Sequence, residues 1–112
     1  MPSNRPPTHP GEMLRKEFLE PLGVSQSEAA ARMDIPFQRL KAIVNGRRAV
    51  SAETALLLQE LTRWGAEIWL RLQAKWDLWH AAKSRRTRST VRPLQNGRHP
   101  QNSPTDTRGL QR

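Results

Sequence analysis

Cysteine is absent from the 112 residues, and aromatic side chains make up only 5% of them. Without cysteine the chain can build no disulfide framework, iron–sulfur cluster or thiolate zinc site. No stretch of 18 apolar residues exists, which excludes a transmembrane helix. Residues 1–10 are polar and proline-rich, with no apolar segment able to serve as a secretory signal. These absences fit a cytoplasmic protein. β-Branched residues are few and nowhere alternate, so no strand is signalled, and there is no internal repeat. The length points to a single domain, too short to house an enzyme's buried pocket comfortably.

Positive charge is what the chain has in excess: nineteen Lys and Arg against ten Asp and Glu. Its placement is uneven. Residues 84–112 hold seven arginines and one acid, Asp106, whereas residues 1–83 hold twelve bases and nine acids. The last segment has only Val91, Leu94 and Leu110 as aliphatic residues, interspersed with proline and glycine. So little apolar surface cannot offset the entropy of ordering. A disordered Arg-rich tail is therefore expected over 84–112 and a short disordered lead over 1–8.

Between them, residues 9–83 read as five helices. The first starts near Pro10, with apolar positions at Leu14, Phe18 and Leu22, and breaks at Pro21 and Gly23. Ser25 followed by Glu28 is a capping box that opens a second helix, 26–33, with Ala29, Ala30 and Met33 inward. Asp34-Ile35-Pro36 breaks the chain, and Pro36 opens a third helix that stops at Gly46. Ser51 caps a fourth, about 52–63, containing Leu56, Leu57, Leu58 and Leu61. Gly65 separates it from a fifth, about 66–83.

The second and third helices, joined by a tight turn, have the form of a helix-turn-helix, in which the later helix enters the major groove of DNA. At about 100° per residue, Leu40, Ile43 and Val44 fall on one side of the third helix, and Gln38, Lys41, Ala42 and Asn45 on the other. Gln can pair bidentately with adenine and Lys can donate to guanine. Phe37 lies between the faces, suited either to the core edge or to a thymine methyl. Arg47 and Arg48 follow in a polar turn suited to phosphates. Any amphipathic helix has a polar side, so the order of these features carries more weight than each alone.

All four tryptophans fall within residues 64–79. Trp69, Leu72, Trp76 and Trp79 form one stripe of the fifth helix, and Leu70, Ala74, Leu78 and Ala81 a second. Two stripes suggest a second buried surface. An isologous homodimer is therefore expected, with Trp69, Leu72, Trp76 and Trp79 at its interface; the alternative is that this helix only centres the core.

Three runs, His9-Pro10-Gly11-Glu12-Met13-Leu14, Leu22-Gly23-Val24-Ser25-Gln26 and Ile43-Val44-Asn45-Gly46-Arg47-Arg48, resemble the HigA/VapI-type antitoxins of the Xre/Cro helix-turn-helix family. Ser51-Ala52-Glu53-Thr54-Ala55-Leu56 and Ile68-Trp69-Leu70-Arg71-Leu72-Gln73-Ala74 continue the resemblance, which spans about residues 9–80. It implies a five-helix, all-α domain that binds a double-stranded operator as a dimer, represses its own operon, neutralises a HigB/RelE-like mRNA-cleaving toxin, and is nucleoid-associated when bound. By that resemblance Gln26 clamps a phosphate, Phe37, Gln38 and Lys41 face bases, and Asn45, Arg47 and Arg48 hold the backbone. The chain departs from the family where an aromatic–glycine pair usually separates the last two helices: Gly65 stands two places later.

Catalysis finds no support. His9, His80 and His99 are scattered, and Glu12, Glu17 and Glu20 lie beside Arg15 and Lys16 on a solvated face. There is no phosphate loop, and a RelE-like nuclease would need a sheet. No cofactor or metal is expected. Alternatives to the antitoxin are a stand-alone Xre-type regulator and a nonspecific nucleic-acid binder driven by the basic tail.

Overall fold

A computed structural model describes residues 5–85 and 90–94. The expected disorder of the lead and tail therefore falls mostly outside the described residues. Helix α1 covers residues 10–22, α2 Gln26–Met33, α3 Phe37–Val44, α4 Ala52–Thr62 and α5 Ala66–Arg85, and no strand occurs among the described residues. The last helix runs two residues past the expected boundary at Lys83.

Helix α1 starts because His9 caps it: the ring Nδ1 accepts from the Gly11 N–H at 2.9 Å, and Pro10 occupies the first turn. Its middle is unusual. Arg15–Leu19 is a π-helical turn between α-helical Pro10–Leu14 and Glu20–Leu22. Pro21 explains the widening: it has no N–H for the Glu17 carbonyl, and in a regular helix its ring would strike that carbonyl. The wider turn shifts the phase of everything after it. Leu14 and Leu19, five apart, are buried, while Leu22 is 72% exposed, against the expectation from a regular period.

Four helices end on a left-handed residue: Gly23, Asp34, Gly46 and Arg63. At the first three, paired bonds close the end. Val24 donates to the Leu19 carbonyl and Gly23 to Glu20; Ile35 and Asp34 repeat this on Ala30 and Ala31, and Arg47 and Gly46 on Ala42 and Ile43. At the fourth, Arg63 donates alone to Gln59 at 2.8 Å. Arg63 stands two places before Gly65, so an arginine has taken the strained conformation that a glycine there would adopt freely.

The starts are capped as well. Ser51 Oγ accepts from the Thr54 N–H at 3.2 Å and Ser25 Oγ from the Glu28 N–H at 3.0 Å. Only that half of the capping box forms, because the Glu28 carboxylate turns to Arg32 at 2.7 Å.

The core joins α1 (Leu14, Leu19), α2 (Ala29, Ala30, Met33), α3 (Leu40, Ile43, Val44), α4 (Ala55, Leu58) and α5 (Trp69), closed by Val50. Phe18, Trp64 and Trp69 stack around its edge with centroids 4.9 to 6.0 Å apart. Gly11 lets α1 cross α3: a Cβ there would lie 1.8 Å from the Ile43 carbonyl oxygen. Leu56, part of the apolar content of α4, is 53% exposed. Thr54, Ala55 and Leu58 take the inner face of α4 instead.

Candidate nucleic-acid interface

Helices α2 and α3 are joined by the turn at residues 34–36, and Ala29, Ala30 and Met33 of one and Leu40 of the other are buried in the same core. Alanines let the helices approach closely. Burial of Leu40, Ile43 and Val44 then forces the opposite side of α3 outward. Gln38, Lys41 and Asn45 are exposed there, with Phe37 39% exposed at the N-terminal end. Phe37 is thus outside the core, and the Lys41 ammonium lies 6.0 Å from its ring centroid. Gln26 is half-buried at the start of α2.

Arg47 and Arg48 occupy the turn after α3, both exposed. Their backbone is held by Ala42, whose carbonyl accepts from Arg47 at 2.8 Å and Arg48 at 3.2 Å. The ion pairs among the described residues join Arg15 to Glu20, Lys16 to Glu12 and Arg32 to Glu28. None of them involves Lys41, Arg47 or Arg48. Cations elsewhere on α1 and α2 face carboxylates, whereas this edge does not.

Two residues that the sequence does not single out tie this face to the domain. Arg39 reaches from α3 to α4, donating Nη2 to Thr54 Oγ1 at 3.0 Å, while its Nε is buried with no hydrogen-bond partner. Gln73, buried in α5, accepts the Val50 N–H at 2.8 Å. Only a contact across 15 or 23 positions reveals either one.

His9 joins three elements behind the face. Its ring meets Trp76 of α5 edge-on at 5.0 Å and lies against Gly46 at the end of α3. Burial lowers its pKa from the ordinary 6.5, against the opposing pull of Asp77 and Glu12. The hydrogen bond from Lys16 is the main cause holding the Glu12 carboxyl below its usual range.

Of the α5 stripe expected to form the dimer, Trp69 needs correction. Trp69 is 0% exposed inside the chain's own core, so it has no surface to offer a second copy. Leu72 packs partly against that core, Trp76 abuts His9, and Trp79 is half-buried beside His80 and Lys83. The second stripe is the outward one: Leu70 is 37% and Leu78 69% exposed, with Ala74 and Ala81 between and beyond them. Among the described residues no three of His, Cys, Asp and Glu gather as a metal site, and no helix is long and apolar enough to cross a membrane.

These elements define a helix-turn-helix domain, and residues 16–63 match the helix-turn-helix family model. The chain is 44% identical over 73 residues to virulence-associated protein A of Dichelobacter nodosus, covering 64% of this chain and 72% of that one. It is 35% identical over 89 residues to virulence-associated protein I of the same organism, covering 80% and 82%. Its fold is similar to that of the Pseudomonas aeruginosa antitoxin HigA, solved with the higBA promoter, at a TM-score of 0.73 and 30% identity, covering 79% of this chain and 98% of that one. The chain belongs to the HigA/VapI group of Xre-type helix-turn-helix proteins.

Proposed function

We propose that this chain is a sequence-specific DNA-binding repressor of its own operon and the antitoxin of a type II toxin–antitoxin pair. The observation that carries the DNA reading is the outward face of α3, where exposed Gln38 and Lys41 lie beside two arginines that no described carboxylate pairs. Gln38 and Lys41 read base edges. Phe37 contributes an apolar contact, and Gln26, Asn45, Arg47 and Arg48 bind phosphates. Two copies present two such faces to half-sites about one helical turn apart, roughly 34 Å.

The dimer forms through the outward stripe of α5, Leu70, Ala74, Leu78 and Ala81, with Trp76 and Trp79 at its border. Support comes from their exposure and from the modest core of a domain this small. The toxin is a HigB-type protein. Support for that reading is the likeness to HigA, itself an antitoxin.

Two measurements test this. The full chain is used to select duplexes from a random library; recovery of a palindromic consensus supports the repressor, and recovery of no consensus defeats it. The chain is also co-expressed with a HigB-type toxin protein. Relief of growth arrest and a stable complex support the antitoxin, while arrest without relief leaves a stand-alone regulator.

A further inference from the structure

The Arg47–Arg48 turn is fixed at two ends by different parts of the molecule. Its front end belongs to α3, through the bonds to the Ala42 carbonyl and the left-handed Gly46. Its back end is Val50, whose side chain is buried and whose N–H has no helical or strand partner. That N–H donates instead to Gln73 Oε1 of α5 at 2.8 Å. Gln73 is itself 6% exposed, and its Nε2 donates to Asp77 Oδ1 at 3.0 Å.

An amide here is a choice that packing does not explain. Residue 73 sits among Trp69, Leu72 and Trp76 on the inner side of α5, where a leucine or methionine would fill the same space without a polar group to satisfy. What an apolar side chain cannot do is accept a buried N–H. The two neighbours also fix which way the amide points. Val50 N can only donate and the Asp77 carboxylate can only accept, so Oε1 faces the turn and Nε2 faces α5's next turn.

We propose that Gln73 is a positioning residue for phosphate binding: it anchors the rear of the Arg47–Arg48 turn, and Asp77 holds Gln73 in the orientation this requires. The proposal rests on the DNA reading above. It makes the helix with the outward apolar stripe also the helix that sets the geometry of the phosphate contacts.

The test uses the full chain and a duplex selected from a random library by the wild type, titrated at several salt concentrations. Gln73→Met keeps volume and removes the acceptor. Affinity is expected to fall about tenfold, with the log–log salt slope shallower by about 0.9 to 1.8 per half-site, as one or two phosphates go without a cation. In an Arg47→Ala, Arg48→Ala background the same substitution is expected to change nothing further, which general loosening of the fold would not reproduce. Gln73→Glu with Asp77→Asn reverses the second bond but keeps an acceptor for Val50, and is expected to restore the slope.

Wild-type affinity and slope in Gln73→Met would overturn the proposal. So would a loss of equal size in the arginine-free background. If Gln73→Met does not fold, Asp77→Ala at an exposed position serves in its place. It should lower the slope by less, and an unchanged slope also overturns the proposal. A wild type that binds no duplex removes the DNA reading and this inference together; a wild type that binds while the variants match it removes only the role of Gln73.

Discussion

Helices α3 and α5 both turn a face outward, and the two faces differ in chemistry. On α3 the outward residues include Gln38, Lys41 and Asn45; on α5 an exposed stripe of Leu70, Ala74, Leu78 and Ala81 runs among charged residues such as Glu67 and Arg71. Both helices bury their other side in the same core, through Leu40, Ile43 and Val44 on one and Trp69 and Gln73 on the other. A polar outer face can stay in water without a partner. An apolar one leaves exposed surface whose burial is favourable, by roughly 25 cal/mol for each Å² removed. On the proposed function the contrast sorts the two by partner: a charged polymer for α3 and an apolar surface for α5.

The sharpest way to break this contrast is to put a charge on the apolar face. Leu78→Glu should leave the monomer's helical content unchanged and shift sedimentation toward the monomer. Operator affinity should fall on the order of 100-fold, because the second half-site is then no longer bound intramolecularly. A dimeric Leu78→Glu with normal affinity would show that α5 is not the contact. Next in size is removal of a base reader. Gln38→Ala should cost about 1–3 kcal/mol on the selected operator, with relaxed preference at one position per half-site and no change in oligomeric state. Unchanged discrimination in competition titrations would move base reading elsewhere. Arg47→Ala should weaken all duplexes alike and reduce the salt slope by about 0.9 per half-site, measured by the same titrations.

Acid tests the joint between the two helices. His9 takes up a proton less readily in the fold than in the unfolded chain, because burial lowers its pKa below the ordinary 6.5. Its stabilising contribution is therefore complete above that ordinary value. It is lost as pH falls from there through the lowered folded value. Protonation also places a proton on Nδ1, the atom that accepts the Gly11 N–H. Urea melts of the wild type should weaken across this window, while His9→Asn, a cap that does not titrate, should give a flatter profile. Equal pH dependence in both would assign the effect to another group. The smallest change leaves both faces alone. Arg63→Gly relieves a left-handed arginine at φ 74° and should stabilise by about 0.5 kcal/mol after the added chain entropy of glycine, read as a small rise in melting temperature.

Much of this architecture is legible in the sequence because local rules agree. Serines at 25 and 51, the Ala29-Ala30 pair and the Leu40, Ile43, Val44 stripe each point to the helix that forms there. Leu22 escapes a periodic reading because a proline inside the helix widens a turn, and a fixed period cannot register a phase shift. The helix ends at Asp34 and Arg63 carry no glycine to mark the left-handed residue. On α5 the two stripes are visible, but which one turns inward is decided by α1 and α4, so periodicity alone puts Trp69 on a surface it does not reach. The exposure of Gln38, Lys41, Arg47 and Arg48 can be read from their own helix and turn. Arg39 and Gln73 cannot, since their partners Thr54 and Val50 lie far along the chain.

The tryptophan arrangement also makes the domain its own optical reporter. With no tyrosine in the chain, near-ultraviolet emission comes from four indoles confined to residues 64–79. Trp69 is sealed from water, whereas Trp76 stands between two imidazoles, His9 at 5.0 Å and His80 at 4.4 Å. A charged imidazole in contact with an indole quenches it. Emission from Trp76 is therefore expected to dim as the His9 ring takes up a proton while Trp69 stays bright, so one unlabelled sample can follow α5 through titration, assembly and DNA binding without an added dye.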